Sequence, residues 1–388
     1  MIIRPADRLN KLEEYYFSKK LQEIRQLNNK GHDILNLGIG SPDMMPSEST
    51  IDALVNAARN PHNHGYQPYR GIADLRDAIA HWYSEIYRVD LNPDHEILPL
   101  MGSKEGITHI SLAFLNPGDK VLVPELGYPA YRAVSEMVGG VVETYPLKEN
   151  DFWSPDFEYL EKADLPGVKI LWINYPHMPT GAPARAEIFD RIVRIAKERK
   201  FLVCHDNPYS LVLNDGPPLS LLHTEGAFEV SLELNSMSKS HNMAGWRVGW
   251  IGGNREYINE IVKIKSNFDS GMFRGIQEAA VVALENPREW HSQRNEAYRL
   301  RRELVHELLY NLGCTWEQGQ VGMFLWARIP GSVEDVEKWV DRILYEHKVF
   351  ITPGFVFGEK GSRFVRISLC SSQTVYRKAL ERLKDFKT

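Results

Sequence analysis

The stretch Asn235-Ser236-Met237-Ser238-Lys239-Ser240-His241-Asn242-Met243-Ala244-Gly245-Trp246-Arg247-Val248-Gly249 decides how the rest of this sequence is read. It follows an apolar run, Glu229–Leu234, and holds small hydroxyl residues, one lysine and, eight positions on, an arginine. A lysine placed where the chain leaves a sheet can be desolvated and set near other cations. Both effects lower its pKa from about 10.4 and free the amine to attack a carbonyl. Ser236-x-x-Lys239 is formally also the Ser-x-x-Lys of serine acyl-enzymes, which need a separate Ser-x-Asn and a Lys-Thr-Gly strand. Here Ser240-His241-Asn242 abuts the lysine and no Lys-Thr-Gly occurs. A lysine in a polar loop is ordinarily just solvated, so the nucleophile reading needs support from elsewhere in the chain.

Outward from this stretch, apolar runs alternate with helical patterns between about 71 and 265. Ile97–Met101, Lys120–Pro124, Lys169–Tyr175, Phe201–His205, Glu229–Leu234 and Arg247–Gly252 read as short buried strands. The clearest helix is 184–200, where Ile188, Ile192, Val193 and Ile195 mark one face. Such alternation predicts an α/β fold with a mostly parallel central sheet covered by helices on both faces. After Asn286-Pro287 the pattern changes: a long polar helix (about 288–312) leads to strands at Met323–Ile329, Val349–Thr352 and Phe364–Leu369, with helices at 333–347 and 373–386. Residues 9–30 read as a helix crossing another part of the molecule. The expected division is a large domain, 46–285, and a smaller α+β domain built from 1–45 and 286–388.

The chain has 388 residues, long enough for two domains. Lys+Arg at 46 against Asp+Glu at 51 gives a net charge of −5, with no global attraction for nucleic acid or an anionic membrane. Cys204, Cys314 and Cys370 are odd in number and far apart, which fits a reducing cytoplasm better than a disulfide framework. Charges at the N-terminus argue against a signal peptide, and no run approaches the roughly 20 apolar residues of a membrane span. The reading is a cytoplasmic enzyme.

Several motifs fail. Gly38-Ile-Gly40 starts a dinucleotide fingerprint, but Asp43 stands where the third glycine belongs and Pro42 and Pro46 obstruct the helix. Gly354 to Lys360 lacks the spacing and the final Ser/Thr of a phosphate-binding P-loop. The 13 histidines include no His-Glu-x-x-His, and no metal is expected.

Others carry chemistry. Gly102-Ser103-Lys104-Glu105 follows a strand and opens a helix, where backbone N–H groups and the helix dipole can bind an anion. Asp206-Asn-Pro-Tyr209 ends a buried strand, and Arg247 can grip a phosphate with its planar fork. In this order and spacing, over nearly its whole length, the chain resembles the pyridoxal-phosphate aminotransferases of class I/II, the aspartate-aminotransferase-like enzymes of fold type I. Ser-x-Ser-Lys-(x)7-Arg is one of that family's signatures.

The resemblance implies roles for residues matched one by one. Lys239 would carry the cofactor covalently and act as general base. Ser236, Ser238, Arg247 and the Ser103-Lys104 turn would lie around its phosphate. Tyr128 would stack on the ring, Asp206 would pair with the ring nitrogen, and Tyr209 would donate to the phenolic oxygen. Tyr66 would reach the neighbouring subunit's phosphate, implying a homodimer with shared sites. Gly40 and Arg366 would hold the substrate's α-carboxylate. One departure stands out: Asn174-Tyr-Pro-His-Met178-Pro-Thr-Gly181 matches the family's Asn-Pro-Thr-Gly turn with Met178 in place of the asparagine, and a thioether cannot donate. The implied activity is transfer of an amino group from an L-amino acid to a 2-oxo acid, 2-oxoglutarate being the expected acceptor. The alternative within the fold is a carbon–sulfur lyase or a cyclopropane-carboxylate-type synthase. Tyr15, taken as a substrate contact, and Asn267-Phe-Asp-Ser-Gly-Met-Phe273 are similar to the subgroup of LL-diaminopimelate, alanine and methionine aminotransferases.

Overall fold

A computed structural model describes residues 3–11, 14–162 and 165–387. Its centre is a seven-stranded sheet in the order Ile97–Leu100, Gly249–Gly253, Ser231–Ser236, Leu202–Asp206, Val168–Ile173, Lys120–Pro124, Val141–Tyr145. Gly249–Gly253 runs antiparallel to both neighbours, and every other pairing is parallel. Side chains alternate across such a strand. Ile170 and Trp172 pack with Ile107 and Ile110 of the helix Ser103–Phe114, whereas Leu171 and Ile173 face the other way, toward Ile188 and Ile192 of the helix Ala186–Arg199. Helices therefore cover both faces, as the apolar runs predict.

All six expected strands are present, Lys120–Pro124 with both ends as expected and the other five with shifted ends. Arg247 is not in its strand: it adopts a left-handed backbone (φ 58°) and the strand begins at Gly249. The reading missed Val141–Tyr145, an edge strand whose start at Val141 is exposed and whose apolar signal is correspondingly thin. The N-terminal helix runs only over Tyr16–Asn29, with a separate 3-10 turn at Asp7–Lys11; residues 12 and 13 lie outside the described residues.

A second, antiparallel sheet is ordered Thr315–Trp316, Phe324–Arg328, Phe364–Ser368, Thr352–Pro353. The expected strand Val349–Thr352 is two pieces, since Val349–Phe350 instead pairs in parallel with Leu35–Asn36. That pairing ties the N-terminal segment to the C-terminal part of the chain. The helices Val336–His347 and Gln373–Leu383 fall where their periodicity places them, and Arg288–Asn311 leads into this region.

Candidate active site

The carboxyl ends of the parallel strands open into a cavity of about 360 Å³, the usual ligand position in such sheets. Lys239, Asp206, Tyr209, Ser236, Ser238, Tyr128, Ser103, Lys104 and Arg247 line it from the central sheet; Gly40, Tyr15 and Arg366 line it from the N- and C-terminal parts. Twelve of the thirteen expected site residues thus face one space.

Lys239 sits in the short helix Met237–Ser240, which starts as the strand Ser231–Ser236 ends. Ser236 caps that turn, its hydroxyl accepting from Ser238 N–H at 3.2 Å. The lysine ammonium donates to the Gly40 carbonyl. Burial lowers its pKa, and the nearby Arg366 and Arg247 guanidinium groups lower it further. This desolvated amine stands among cations, as the sequence suggests.

Asp206 ends its strand 6% exposed, and burial pushes its carboxyl up to about 6, against the opposing pull of the Tyr131 hydroxyl. That hydroxyl donates to Oδ2 at 2.8 Å, while Oδ1 is buried without a partner among the described residues. Tyr131 is held by a parallel stack on Trp172, with centroids 5.0 Å apart. Sequence reading assigned Tyr128 in Gly127-Tyr-Pro-Ala-Tyr131 and overlooked Tyr131. No local signal could have found it: Tyr131, on the helix Pro129–Met137, meets the end of Asp206's strand only once the sheet order is known.

At the other end, Gly102 has φ 86°, a left-handed backbone that favours glycine, and a Cβ there would press on Arg247 Nη2 at 2.1 Å. Gly102, not Ser103, is the N-cap, and no side chain caps it, which leaves the helix's first N–H groups to the cavity. Arg247 Nη1 donates to the Ala244 carbonyl at 3.0 Å and reaches Ser238 Oγ at 3.4 Å. Among the described residues it has no carboxylate partner. Tyr209 lies edge-on to Phe324, and burial raises its hydroxyl pKa.

Arg366 is buried and, among the described residues, likewise lacks a carboxylate partner. Its guanidinium lies 3.9 Å from the Phe324 ring centroid and 4.5 Å from that of Phe357, donates to the Gly38 carbonyl at 2.7 Å, and leaves Nε unpartnered. Burial pulls its pKa down to about 10. A buried cation with a free donor suits an incoming carboxylate. Gly40 comes close because a Cβ there would lie 2.2 Å from Phe324 Cζ. Lys104 Nζ sits 5.4 Å from the centre of the Tyr15 ring.

Met178 Sδ touches Arg366 Nη1 at 3.4 Å. Of the two neighbouring side chains, His177 is engaged elsewhere, whereas Asn174 lines the cavity with one of its two amide N–H groups in use. Asn174 donates to the Asp206 carbonyl at 2.6 Å and accepts from Met178 N–H at 2.9 Å. His177 spans Thr180 Oγ1 and the Leu126 carbonyl.

Tyr66 is the candidate that this chain does not bring to its own cavity: it is 92% exposed. Elsewhere, Glu105, His109 and Asp269 place ligand atoms within 4.8 Å of one another, but Lys265 Nζ already lies 2.6 Å from Asp269 Oδ2.

Residues 32–383 match the family described as aminotransferase class I and II. The LL-diaminopimelate aminotransferase of Aquifex aeolicus is 38% identical over 383 residues, covering 98% of this chain and 99% of that protein. The substrate-bound structure of BacF from Bacillus subtilis is 36% identical, with a TM-score of 0.93 over 99% of this chain and 98% of that one. An aspartate aminotransferase mutant from Thermus thermophilus is 28% identical, with a TM-score of 0.91 over 98% and 99%. The chain belongs to the class I and II aminotransferases, with the aspartate-aminotransferase-like fold. It is a pyridoxal-phosphate-dependent enzyme that moves an amino group from an amino acid to a 2-oxo acid. These relatives favour transamination over the lyase or synthase alternative. No helix among the described residues is long and apolar enough to cross a membrane.

Proposed function

We propose that Lys239 is the lysine that carries pyridoxal phosphate and that the surrounding residues divide the reaction among them. The observation that carries this reading is the shared cavity of a desolvated amine, a half-satisfied buried carboxylate and two arginines without ion-pair partners among the described residues. The cofactor fits this set: its phosphate suits Arg247 and the uncapped turn at Gly102, and its ring N–H suits Asp206 Oδ1. When bound, the cofactor withdraws electrons from the substrate's Cα.

The chain's own residues do the rest. Arg247, Ser236, Ser238 and the N–H groups of the Ser103-Lys104 turn bind the phosphate. Tyr128 packs on the ring face, and Tyr209 donates to the phenolic oxygen. Asp206 holds the proton on the ring nitrogen, its own orientation fixed by Tyr131. Arg366 and Gly40 seat the α-carboxylate and so aim Cα at Lys239, whose free amine takes the proton from that atom. Phe324, Phe357 and Met178 keep water from Arg366.

The acceptor we propose is 2-oxoglutarate. A cytoplasmic enzyme is part of this reading, which its three buried, unpaired cysteines support. A large domain, 46–285, carries the cofactor, and 1–45 with 286–388 form the small domain. The protein is a homodimer: Tyr66, Phe268 and Met45 leave large apolar surface exposed in the single chain, and a second copy would cover it and receive Tyr66 at its phosphate. The test is a panel of amino donors with 2-oxoglutarate, scored for glutamate. The relatives' names put LL-diaminopimelate first in that panel. Glutamate formed with at least one donor, and lost in Lys239→Ala, supports the reading; no glutamate from any donor by cofactor-loaded protein contradicts it.

A further inference from the structure

We infer that Arg294 is a positioning residue that fixes Lys239 and Tyr209 relative to one another, an inference that rests on the roles proposed for those two residues. Arg294 lies in the helix Arg288–Asn311 and is 3% exposed. Among the described residues, no carboxylate pairs with it. Burying an unpaired cation is costly, and a packing role would be filled more cheaply by a methionine or leucine.

The guanidinium is spent instead on neutral acceptors. Nη1 donates to the carbonyl of Ser240, the residue after Lys239, and lies 3.1 Å from His291 Nδ1. Nη2 donates to the carbonyl of Leu211, two residues after Tyr209, and to Asn295 Oδ1 at 3.0 Å. Nε reaches the same Asn295 oxygen at 3.3 Å. Burial and the neighbouring Arg294 charge push His291 down to about 3, so it is neutral and can accept. Asn295 completes the clamp, donating to the Leu211 carbonyl at 3.1 Å and accepting from Leu213 N–H at 3.3 Å.

Two segments from different strands meet at this one side chain: the turn after Ser231–Ser236 with the amine, and the loop after Leu202–Asp206 with the phenol. A planar fork with five fixed donors serves both carbonyls and the Asn295 oxygen together, whereas an ammonium offers three donors from a single point. The positive charge also faces the carbonyl end of the Met237–Ser240 turn, where it is favourable. Arg294 does not line the cavity that Lys239 and Tyr209 share. It acts through Ser240 and Leu211, and it does so from the helix that leads into the second sheet.

The experiment compares pyridoxal-phosphate-loaded wild type with Arg294→Met, Arg294→Lys, Asn295→Ala, Tyr209→Phe and the Arg294→Met/Tyr209→Phe double variant. The readouts are the pH midpoint of the bound cofactor's absorbance and the separate values of kcat and KM. Small misplacement of reacting groups costs on the order of 100-fold, so Arg294→Met should lower kcat by about 10- to 100-fold with little change in KM for the amino donor. Its absorbance midpoint should move in the same direction as in Tyr209→Phe. Adding Arg294→Met to Tyr209→Phe should cost much less than it does alone, since both changes disturb the same contact. Arg294→Lys should fall between, and Asn295→Ala should move the midpoint slightly the same way. A melting temperature that drops while midpoint and kcat stay at wild-type values would overturn the proposal. So would additive effects in the double variant. If Arg294→Met does not fold, Arg294→Lys and Asn295→Ala decide by the same midpoint. Borohydride labelling away from Lys239 would instead overturn the underlying reading of the site.

Discussion

Tyr131 donates its hydroxyl to Asp206 Oδ2 at 2.8 Å while Asp206 Oδ1 stays buried and unpartnered, so the carboxylate is fixed on one side and open on the other. A hydrogen bond to a charged group is worth about 1.5–3 kcal/mol. Tyr131→Phe should therefore weaken pyridoxal phosphate binding by about 10- to 100-fold. The Tyr131 hydroxyl lowers the Asp206 pKa, so its loss should also raise the pH below which the cofactor is released. Cofactor titrations at a series of pH values check both.

Asp206 should make the cofactor-free protein less stable than it could be. Its folded value, about 6, lies above its ordinary value of 3.8. The contribution is fully present below about pH 4 and is lost as pH rises through about 6. At pH 8 the ionised carboxylate costs about 3 kcal/mol. Cofactor-free Asp206→Asn should melt higher than wild type at pH 8, with an advantage that shrinks toward pH 5, and it should lose turnover. Thermal melts across that range, with activity assays alongside, give the answer. If the Asp206→Asn advantage were the same at pH 5 and pH 8, the assignment of the titrating group would be contradicted.

The strands and helices were legible because buried parallel strands are continuous apolar runs and the helices show a clean apolar face, as at Ile188 and Ile192. Val141–Tyr145 was not, since an edge strand with one exposed side carries a weak pattern. Ser236, Ser238 and Arg247 were legible because they sit close to Lys239 in sequence, whereas Gly40, Ser103, Tyr128, Asp206 and Arg366 were reached only through the matched order of motifs along the chain. Tyr131 and Arg294 were not, because nothing local says that a tyrosine on the helix Pro129–Met137 meets Asp206, or that an arginine on a polar helix ends between two loops. Those contacts exist only once strand order brings 131, 206, 240 and 294 together.

Met178 leaves Tyr209 as the side chain proposed to donate to the cofactor's phenolic oxygen, since His177 is committed elsewhere and Asn174 Nδ2 is held at the Asp206 carbonyl with one of its two N–H groups. Two donors draw more charge from that oxygen than one. Met178→Asn should lower the pH midpoint of the bound cofactor's absorbance by on the order of one unit. It also removes a sulfur that touches Arg366, so KM for the amino donor should change. An unchanged midpoint would mean that the oxygen already has a second donor.

Tyr66 crossover can be read from hybrids of two weak or inactive chains, Lys239→Ala and Tyr66→Ala. If each Tyr66 serves its neighbour, a hybrid dimer contains one site with Lys239 from the second chain and Tyr66 from the first. That site is wild type in both residues, and activity should rise on subunit exchange. If Tyr66 acts within its own chain, no hybrid site combines the two, and mixing should add nothing.

Whether Lys239 holds the cofactor is decided by borohydride. Reduction of the loaded enzyme should fix one pyridoxyl group per chain, and peptide mapping should place it on Lys239, with the label absent from Lys239→Ala. A label on another lysine, or none from protein that has bound the cofactor, would show that Lys239 is not the cofactor's lysine.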